Sequence, residues 1–238
     1  MKIALIGYGK MGKAIEAIAV AKGHEIVHKI DLSNLHLLEK DELSKADVAI
    51  EFTGPETAFS NVMKCFEANV PVVCGSTGWL EKLPAVKAAC LEKHQAFLYA
   101  SNFSIGVNIF FELNSRLAEL MAGQHQYNVE MKEIHHTQKK DAPSGTAITL
   151  AEQVLEKVSR KSHWVNDVAT RPDELVIFSE RVDPAPGTHI INYTSAIDDI
   201  TITHTAHSRE GFASGAVVAA EWILGKKGIF SMKDVLSL

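Results

Sequence analysis

Hydrophobic and polar residues follow two different periods in residues 1–100 of the chain. Short apolar runs rich in β-branched side chains predict strands at residues 2–6, 25–30, 47–52, 70–74 and 96–100. Between them, apolar residues three and four positions apart predict helices at about residues 10–21, 57–68 and 84–93. Strands that alternate with helices form a doubly wound parallel sheet, so we expect a Rossmann-type α/β fold in this region.

The pattern changes after residue 104. A long helix at 105–121, a strand at 127–134 and a helix at about 144–159 are predicted next, and the polar segment 161–172 is predicted to be a loop. The remaining predicted elements are β-like runs at 175–179, 189–195 and 199–206, a helix at 212–224 and a tail at 232–238. Strands gathered without alternating helices predict a second, α+β domain with an open mixed sheet.

A glycine-rich segment, Gly7-Tyr8-Gly9-Lys10-Met11-Gly12, joins the first predicted strand to the first helix. In that context Gly-x-Gly-x-x-Gly is typical of a dinucleotide site, because the glycines allow a tight turn and the pyrophosphate lies on the helix N-terminus. Asp31 follows about 20 residues later, where a carboxylate can bond the ribose hydroxyls. Its charge favours NADH, whereas Lys10, Lys13 and Lys29 could attract the 2′-phosphate of NADPH. We therefore predict NADH, NADPH or both as the cofactor.

A second segment with unusual chemistry spans residues 133–146, Glu-Ile-His-His-Thr-Gln-Lys-Lys-Asp-Ala-Pro-Ser-Gly-Thr. Ser144 is the predicted N-cap of the helix that follows, so the backbone N–H groups of Gly145 and Thr146 form a seat for an anion such as a carboxylate. His135 and Lys139 lie just upstream and offer two proton donors. Taken singly, such a turn is more often a plain helix cap and adjacent histidines or lysines more often lie in solvent; their combination in one loop points to a site.

Composition narrows the classes of function. The chain has 238 residues, 46% hydrophobic and 22% charged, with a net charge of −5, which is ordinary for a globular protein and gives no reason to expect nucleic acid or a membrane as partner. No apolar run approaches the ~20 residues that span a bilayer. The cysteines, Cys65, Cys74 and Cys90, are odd in number and read as reduced thiols of a cytoplasmic protein. Neither they nor the histidines have metal-ligand spacing, so we predict no metal.

Beyond these physical arguments, the segment His-His-x-x-Lys-x-Asp-Ala-Pro-Ser-Gly-Thr-Ala at residues 135–147 resembles the signature loop of the 4-hydroxy-tetrahydrodipicolinate reductase (dihydrodipicolinate reductase) family. These enzymes act in the diaminopimelate route to lysine. Gly75-Ser76-Thr77-Gly78 and Ser101-Asn102-Phe103-Ser104 resemble the segments that hold the nicotinamide half in that family, and residues 208–216 resemble its return motif. The resemblance implies a discontinuous dinucleotide-binding domain, 1–104 with 208–238, around a domain for substrate binding and oligomerisation at 105–207.

The resemblance also implies a role for individual residues. His135 would be the proton donor and acceptor, Lys139 the second acid or charge stabiliser, and a dicarboxylate would be held by the residues His136, Ser144, Gly145 and Thr146. The implied cofactor-binding residues are Gly7, Tyr8, Gly9, Lys10, Met11, Gly12, Asp31, Gly75, Ser76, Thr77, Ala100, Ser101, Asn102 and Phe103. The implied reaction is loss of water from 4-hydroxy-tetrahydrodipicolinate with uptake of hydride to give tetrahydrodipicolinate. Such enzymes are commonly tetramers, so a homotetramer is expected.

Two other readings of the same chain stay open at this point. One is another NAD(P)-dependent two-domain dehydrogenase that acts on an amino acid or a semialdehyde, although the loop at 135–146 argues against it. The other is a catalytically silent protein that binds nucleotides as a sensor. The first would be distinguished by a substrate panel, the second by tolerance to loss of His135 and Lys139.

Overall fold

A computed structural model of the chain describes residues 1–208 and 210–238. Arg209, which belongs to the return motif, lies outside the described residues. The chain divides into two compact units, Met1–Asn108 with Glu210–Leu238, and Ile109–Arg209. The functional domain limits inferred above, 1–104 with 208–238 and 105–207, remain a prediction. No helix among the described residues is long and apolar enough to cross a membrane.

Strands and helices alternate along the chain as far as the strand at 163–166, and three further strands then follow without a helix between them. The strands are β1 (Lys2–Ile6), β2 (Glu25–Ile30), β3 (Val48–Glu51), β4 (Val72–Cys74), β5 (Ala96–Tyr99), β6 (Asn128–His135), β7 (His163–Asn166), β8 (Glu174–Arg181), β9 (Gly187–Thr194), β10 (Asp199–Ala206) and β11 (Gly228–Phe230). The helices are α1 (Lys10–Ala21), α2 (Lys40–Leu43), α3 (Ala58–Glu67), α4 (Leu83–Glu92), α5 (Ile105–Met121), α6 (Gly145–Lys157), α7 (Glu210–Ile223) and α8 (Met232–Leu236).

The first unit contains a parallel sheet in the order β11-β5-β4-β3-β1-β2. Both faces of this sheet are covered: Ile3 and Leu5 of β1 pack into one apolar cluster, and Ala4 and Ile6 pack into another. Burial on both sides explains why these strands are apolar runs without polar alternation. The predicted Rossmann-type fold is confirmed. Strand β11 was not predicted, because only two apolar residues, Ile229 and Phe230, follow Gly228 in it.

The second unit contains a mixed sheet in the order β10-β9-β6-β8-β7, as the open mixed sheet of the prediction requires. Strand β6 is parallel to β8 and antiparallel to β9. Its alternate residues are buried, and the apolar ones pack in one cluster with helix α6. The prediction of a loop at 161–172 is wrong in part, because His163–Asn166 pairs with β8 as an edge strand. Short edge strands have one unpaired side and need little apolar character.

Helix α5 differs from what its apolar spacing indicates. That spacing predicts one apolar face made of Ile109, Leu113, Leu117 and Leu120. In the structure Leu117 packs against the core, whereas Ile109, Leu113 and Leu120 are 49%, 48% and 57% exposed. The buried core contacts of the helix include Phe110, Ala118 and Met121. Apolar spacing thus located the helix but did not identify the face that packs on the core.

Candidate active site

The glycine loop between β1 and α1 is folded so tightly that side chains cannot be accommodated at two of its positions. Gly7 has a φ of +96°, and a Cβ added there would lie 2.1 Å from the carbonyl oxygen of Phe52. A Cβ at Gly12 would lie 2.4 Å from the carbonyl oxygen of Gly7. At Gly9, by contrast, a Cβ would meet no atom within 4 Å. The backbone at Gly9 therefore faces open space that a ligand can approach.

Helix α1 starts without a side chain that satisfies its N-terminus. Gly9 is the N-cap, and the first turn has no acidic residue. The free N–H groups and the helix dipole favour a phosphate at this position. The loop lines a cleft of about 290 Å³, whose other lining residues include Asp31, Phe52 and Thr53. Glycines that admit close approach, an uncapped helix start and a carboxylate on the cleft fit a dinucleotide.

The charged groups beside the cleft are partly engaged with one another. Asp31 accepts hydrogen bonds from the hydroxyl of Ser33 at 2.6 Å and from its N–H at 2.7 Å, and these lower the pKa of Asp31. Lys29 lies 2.5 Å from Glu16, which also accepts the hydroxyl proton of Tyr8. Of the three lysines considered for a 2′-phosphate, Lys29 is thus already paired with a carboxylate.

The predicted nicotinamide segments follow the neighbouring strands β4 and β5. A Cβ at Gly75 would lie 2.3 Å from the nearest ring atoms of Phe52. The centroid of that ring lies 5.5 Å from the ring centroid of Phe103. The hydroxyl of Ser76 accepts a hydrogen bond of 2.8 Å from the N–H of Thr53. These contacts tie the loops after β3, β4 and β5 together at the carboxyl edge of the sheet, where ligands of such folds bind.

A buried carboxylate, Glu51, lies at the end of β3 beneath these loops and is 0% exposed. It accepts hydrogen bonds from Asn61 at 3.3 Å and from the thiol of Cys74 at 3.1 Å, and from the hydroxyl of Thr53. Burial, and secondly the charge of Glu51, raises the pKa of the Cys74 thiol far above its usual range. The three cysteines are free and buried, as expected of reduced thiols with no reactive role.

In the second unit, the loop between β6 and α6 carries the predicted chemistry. Ser144 is the N-cap of α6, as predicted, and its hydroxyl accepts a hydrogen bond of 3.2 Å from the N–H of Ala147. The first turn of α6 has no acidic side chain. The N–H groups of Gly145 and Thr146 have no partner within the helix, because an α-helix leaves its first four N–H groups unbonded. This helix start can hold a carboxylate.

His135 is the last residue of β6 and is 9% exposed. Its imidazole lies against Gly187, where a Cβ would come within 2.9 Å of His135 Cε1. Its Nε2 has no hydrogen-bond partner among the described residues and lies 3.5 Å from Oε2 of Glu133. This nitrogen is buried and faces the carboxylate of Glu133.

The loop that follows His135 is held by acidic side chains. Lys139 donates from Nζ to both carboxylate oxygens of Asp141, at 2.9 and 2.8 Å, and this bond lowers the pKa of Asp141. Thr137 donates from its N–H at 3.1 Å and from its hydroxyl at 2.6 Å to the carboxylate of Asp183. Half-buried His136 directly precedes the anchored Thr137 in the chain.

Glu133 is the centre of the contacts behind this loop and is fully buried. It accepts hydrogen bonds from the N–H of Ser144 at 3.0 and 3.1 Å and from Nη2 of Arg181 at 2.9 Å. Burial alone would raise the pKa of Glu133, but the contact with His135 and the hydrogen bonds from Ser144 and Arg181 outweigh it and hold that pKa well below its usual range. Glu133 is therefore ionised.

His189 packs against the same carboxylate from β9. Its Nε2 lies 3.2 Å from the hydroxyl of Ser144 and 3.9 Å from Glu133, and its ring lies 5.2 Å from that of His135. Burial, and secondly the neighbouring His135, lowers the pKa of His189 to about 4. His189 is thus neutral near pH 7.

Comparisons with known proteins identify the family of the chain. Family models described as the N-terminus and the C-terminus of dihydrodipicolinate reductase match residues 1–103 and 106–236. The chain belongs to the dihydrodipicolinate reductase family.

Relatives of the chain include two proteins named 4-hydroxy-tetrahydrodipicolinate reductase. That of Christiangramia forsetii is 52% identical over 239 residues, which cover 100% of this chain and 98% of the relative. That of Methanosarcina barkeri is 39% identical over 212 residues, covering 87% and 79%. A solved structure, dipicolinate-bound dihydrodipicolinate reductase from Paenisporosarcina, has a TM-score of 0.77 at 25% identity and covers 97% of both chains. An amine dehydrogenase from Mycobacterium smegmatis, at 13% identity and a TM-score of 0.57, shares the fold alone.

In this member of the dihydrodipicolinate reductase family, the candidates for cofactor binding lie in the first unit and those for substrate binding in the second. Sequence reasoning did not identify Glu133, Arg181, Asp183 or His189. A signal was present on β6, where alternate residues from 129 to 135 are buried and the last two, Glu133 and His135, are polar. Polar residues on the core face of a strand call for buried partners.

Three side chains of the second unit lie close enough together to be considered as metal ligands. Glu133, His135 and His189 offer ligand atoms within 4.8 Å of one another. However, Arg181 already donates to Glu133, and a cation so close opposes the binding of a second one. The absence of a metal remains a prediction.

Proposed function

We propose that this protein reduces 4-hydroxy-tetrahydrodipicolinate to tetrahydrodipicolinate, with loss of water, in the diaminopimelate route of lysine biosynthesis. The observation that carries the proposal is the loop from His135 to Thr146, in which two proton donors precede a helix start that has no acidic side chain in its first turn. The relative that is 52% identical to this chain, matched over 98% of its own length, is named 4-hydroxy-tetrahydrodipicolinate reductase. The rival reading, a dehydrogenase of an amino acid or a semialdehyde, is supported only by a shared fold.

The substrate would be held by its two carboxylates. The N–H groups of Gly145 and Thr146 and the hydroxyl of Thr146 would receive one of them, with the helix dipole of α6 favouring its charge. His136 and Ser144 would complete the site. A relative in the same family has been solved with bound dipicolinate, an aromatic dicarboxylate, which supports a substrate of this class.

The chemistry divides between the cofactor and two side chains. A bound reduced nicotinamide supplies the hydride. His135 donates and regains a proton, since an imidazole can do both near neutral pH. Lys139, oriented by its ion pair with Asp141, stabilises negative charge that develops on the substrate.

NADH, NADPH or both would bind the first unit. The proposed contacts are the loop Gly7–Gly12, the ribose partner Asp31 and the segments Gly75–Thr77 and Ala100–Phe103. Asp31 is ionised and exposed, which favours the unphosphorylated ribose of NADH. We further propose a cytoplasmic homotetramer, whose contacts would involve the second unit's sheet, where Phe178 and Ile200 are partly exposed.

The proposed function is tested by following oxidation of NADH and of NADPH while the preceding synthase of the route generates the substrate in situ. We expect oxidation that depends on the synthase and is faster with NADH. Protein that binds nucleotide but oxidises neither would contradict the proposal. A panel of amino acids and semialdehydes, assayed with the oxidised nucleotides, would then test the rival dehydrogenase.

A further inference from the structure

One buried carboxylate, that of Glu133, contacts both parts of the loop that the proposed function uses. Its Oε2 lies 3.5 Å from Nε2 of His135, the proposed proton donor. Both of its oxygens accept the N–H of Ser144, the residue that begins the proposed carboxylate seat. Glu133 therefore contacts both His135 and the residue that begins the proposed carboxylate-binding site, although these two residues are nine positions apart in the chain, at 135 and 144.

The partner of Glu133 contacts a third point of the same loop. Nη2 of Arg181 donates to Oε1 of Glu133 at 2.9 Å and to the carbonyl oxygen of Asp141 at 2.6 Å. The side chain of Asp141 in turn holds Lys139. Through two side chains, the loop is thus fixed at His135, at Asp141 and at Ser144.

The alternatives for such a pair are a structural role and a functional one. A buried ion pair is weak evidence of stability, because desolvation offsets most of the attraction between the charges. Glu133 is 0% exposed and Arg181 is 19% exposed, so this desolvation is large. A buried pair that contacts three functional positions is better explained by the precision of the site than by stability alone.

We propose that Glu133, with Arg181 as its counter-ion, is a positioning residue that holds His135 and the start of α6 in one fixed arrangement. A dicarboxylate bound at Gly145 and Thr146 is thereby presented to the proton donor. Neither Glu133 nor Arg181 touches the reacting atoms in this account. The inference rests on the proposed function, which assigns proton transfer to His135 and carboxylate binding to Gly145 and Thr146.

The test uses Glu133→Gln, Glu133→Asp, Arg181→Gln and the double variant Glu133→Gln/Arg181→Gln. Glu130→Gln is the matched control, because it makes the same change on the same strand at a position facing the other side of the sheet. Steady-state kinetics are measured for each. Binding of pyridine-2,6-dicarboxylate is measured by titration calorimetry in the presence of saturating reduced nucleotide.

For Glu133→Gln we expect kcat to fall by at least tenfold, KM to rise, and the dicarboxylate Kd to rise about tenfold, with unchanged nucleotide Kd. Glu133→Asp keeps the charge and should recover part of both losses. The double variant should be no worse than the worse single one, because both act through one network. Glu130→Gln should behave as wild type.

A merely structural role would give a different result. Partial unfolding lowers kcat and the stoichiometry of dicarboxylate binding but leaves KM and Kd of the folded fraction unchanged. That outcome, or additive losses in the double variant, would overturn the proposal. If Glu133→Gln does not fold, Glu133→Asp and Arg181→Gln decide it by the same criteria. Wild-type protein that binds dicarboxylate without turnover would refute the proposed function, while the Kd comparison would still decide the positioning role.

Discussion

The two loops proposed to bind cofactor and substrate look alike in outline and are stabilised in different ways. Each joins the carboxyl end of a strand to the start of a helix, β1 to α1 and β6 to α6. The first is shaped by backbone contacts of its own glycines with one another and with Phe52. The second is held by side chains far away in sequence: Thr137 by Asp183, 46 residues on, and Glu133 by Arg181, 48 residues on.

A buried carboxylate lies beside each of the two loops, and the two carboxylates differ in their partners. Glu51 and Glu133 are both 0% exposed. The hydrogen bonds found for Glu51 come from neutral groups of Thr53, Asn61 and Cys74, whereas Glu133 has the cation of Arg181. A site that binds a cofactor through backbone N–H groups depends on the conformation of the backbone. A site that moves a proton needs charges in fixed places, and ionised side chains provide them.

The largest effect should come from removing the proton-handling groups of the second loop. His135→Gln and Lys139→Ala should each lower turnover by about 10²–10⁴-fold, the usual range for general acid–base groups. Because both residues lie in the second unit, the Kd of the reduced nucleotide should stay near the wild-type value. Steady-state kinetics and fluorescence titration measure the two quantities. Wild-type turnover in both variants would remove the roles assigned to these residues.

A smaller loss is expected when the space beside His135 is filled. Gly187→Ala places a Cβ 2.9 Å from His135 Cε1, so the imidazole must shift. Displacement of a catalytic group by about 1 Å can lower the rate by about 10²-fold, and we expect a fall in kcat of about 10- to 10²-fold. Gly123→Ala, where a Cβ meets no atom within 4 Å, is the control. Equal kcat values for the two variants would contradict the packing argument.

The first loop should fail through its backbone. Gly9→Ala meets no atom of the described protein within 4 Å, so thermal stability should be unchanged while the nucleotide Kd rises about tenfold, because the methyl group occupies the approach of the pyrophosphate. Gly7→Ala, whose Cβ would lie 2.1 Å from a carbonyl oxygen, should instead destabilise the fold. Thermal unfolding and nucleotide titration separate the two effects. A Gly9→Ala protein with wild-type nucleotide affinity would show that the ligand binds elsewhere.

The smallest effect is a pH dependence that belongs to the second loop. The folded protein holds the pKa of Glu133 below its usual range, so the unfolded chain binds more protons than the folded one as pH falls from about 5. This contribution to stability is present above the ordinary pKa of glutamate and is lost on acidification. Glu133→Gln lacks it, so its Tm should decrease less than that of wild type between about pH 6 and pH 3. Parallel Tm curves over that range would contradict the assignment of a charged Glu133.

The sequence predicts the features that local patterns determine better than those that depend on contacts between distant residues. The glycine loop, the parallel sheet and the cap at Ser144 depend on patterns within a few residues and were predicted correctly. The partners of Glu133 depend on the register of β6 with β8 and β9, which no local pattern specifies. Strands β7 and β11 were missed because neither contains an apolar run longer than two residues: His163 and Asn166 flank two apolar residues in β7, and Gly228 precedes two in β11.

The most direct test of this account measures two dissociation constants in two variants, Gly9→Ala and Glu133→Gln. Reduced nucleotide is titrated alone, and pyridine-2,6-dicarboxylate is titrated after nucleotide has been raised until each variant is saturated. We expect Gly9→Ala to weaken only nucleotide binding and Glu133→Gln to weaken only dicarboxylate binding, each by about tenfold. If either variant weakens both ligands equally, or Glu133→Gln leaves dicarboxylate binding unchanged, the division into a backbone-built and a side-chain-built site is wrong.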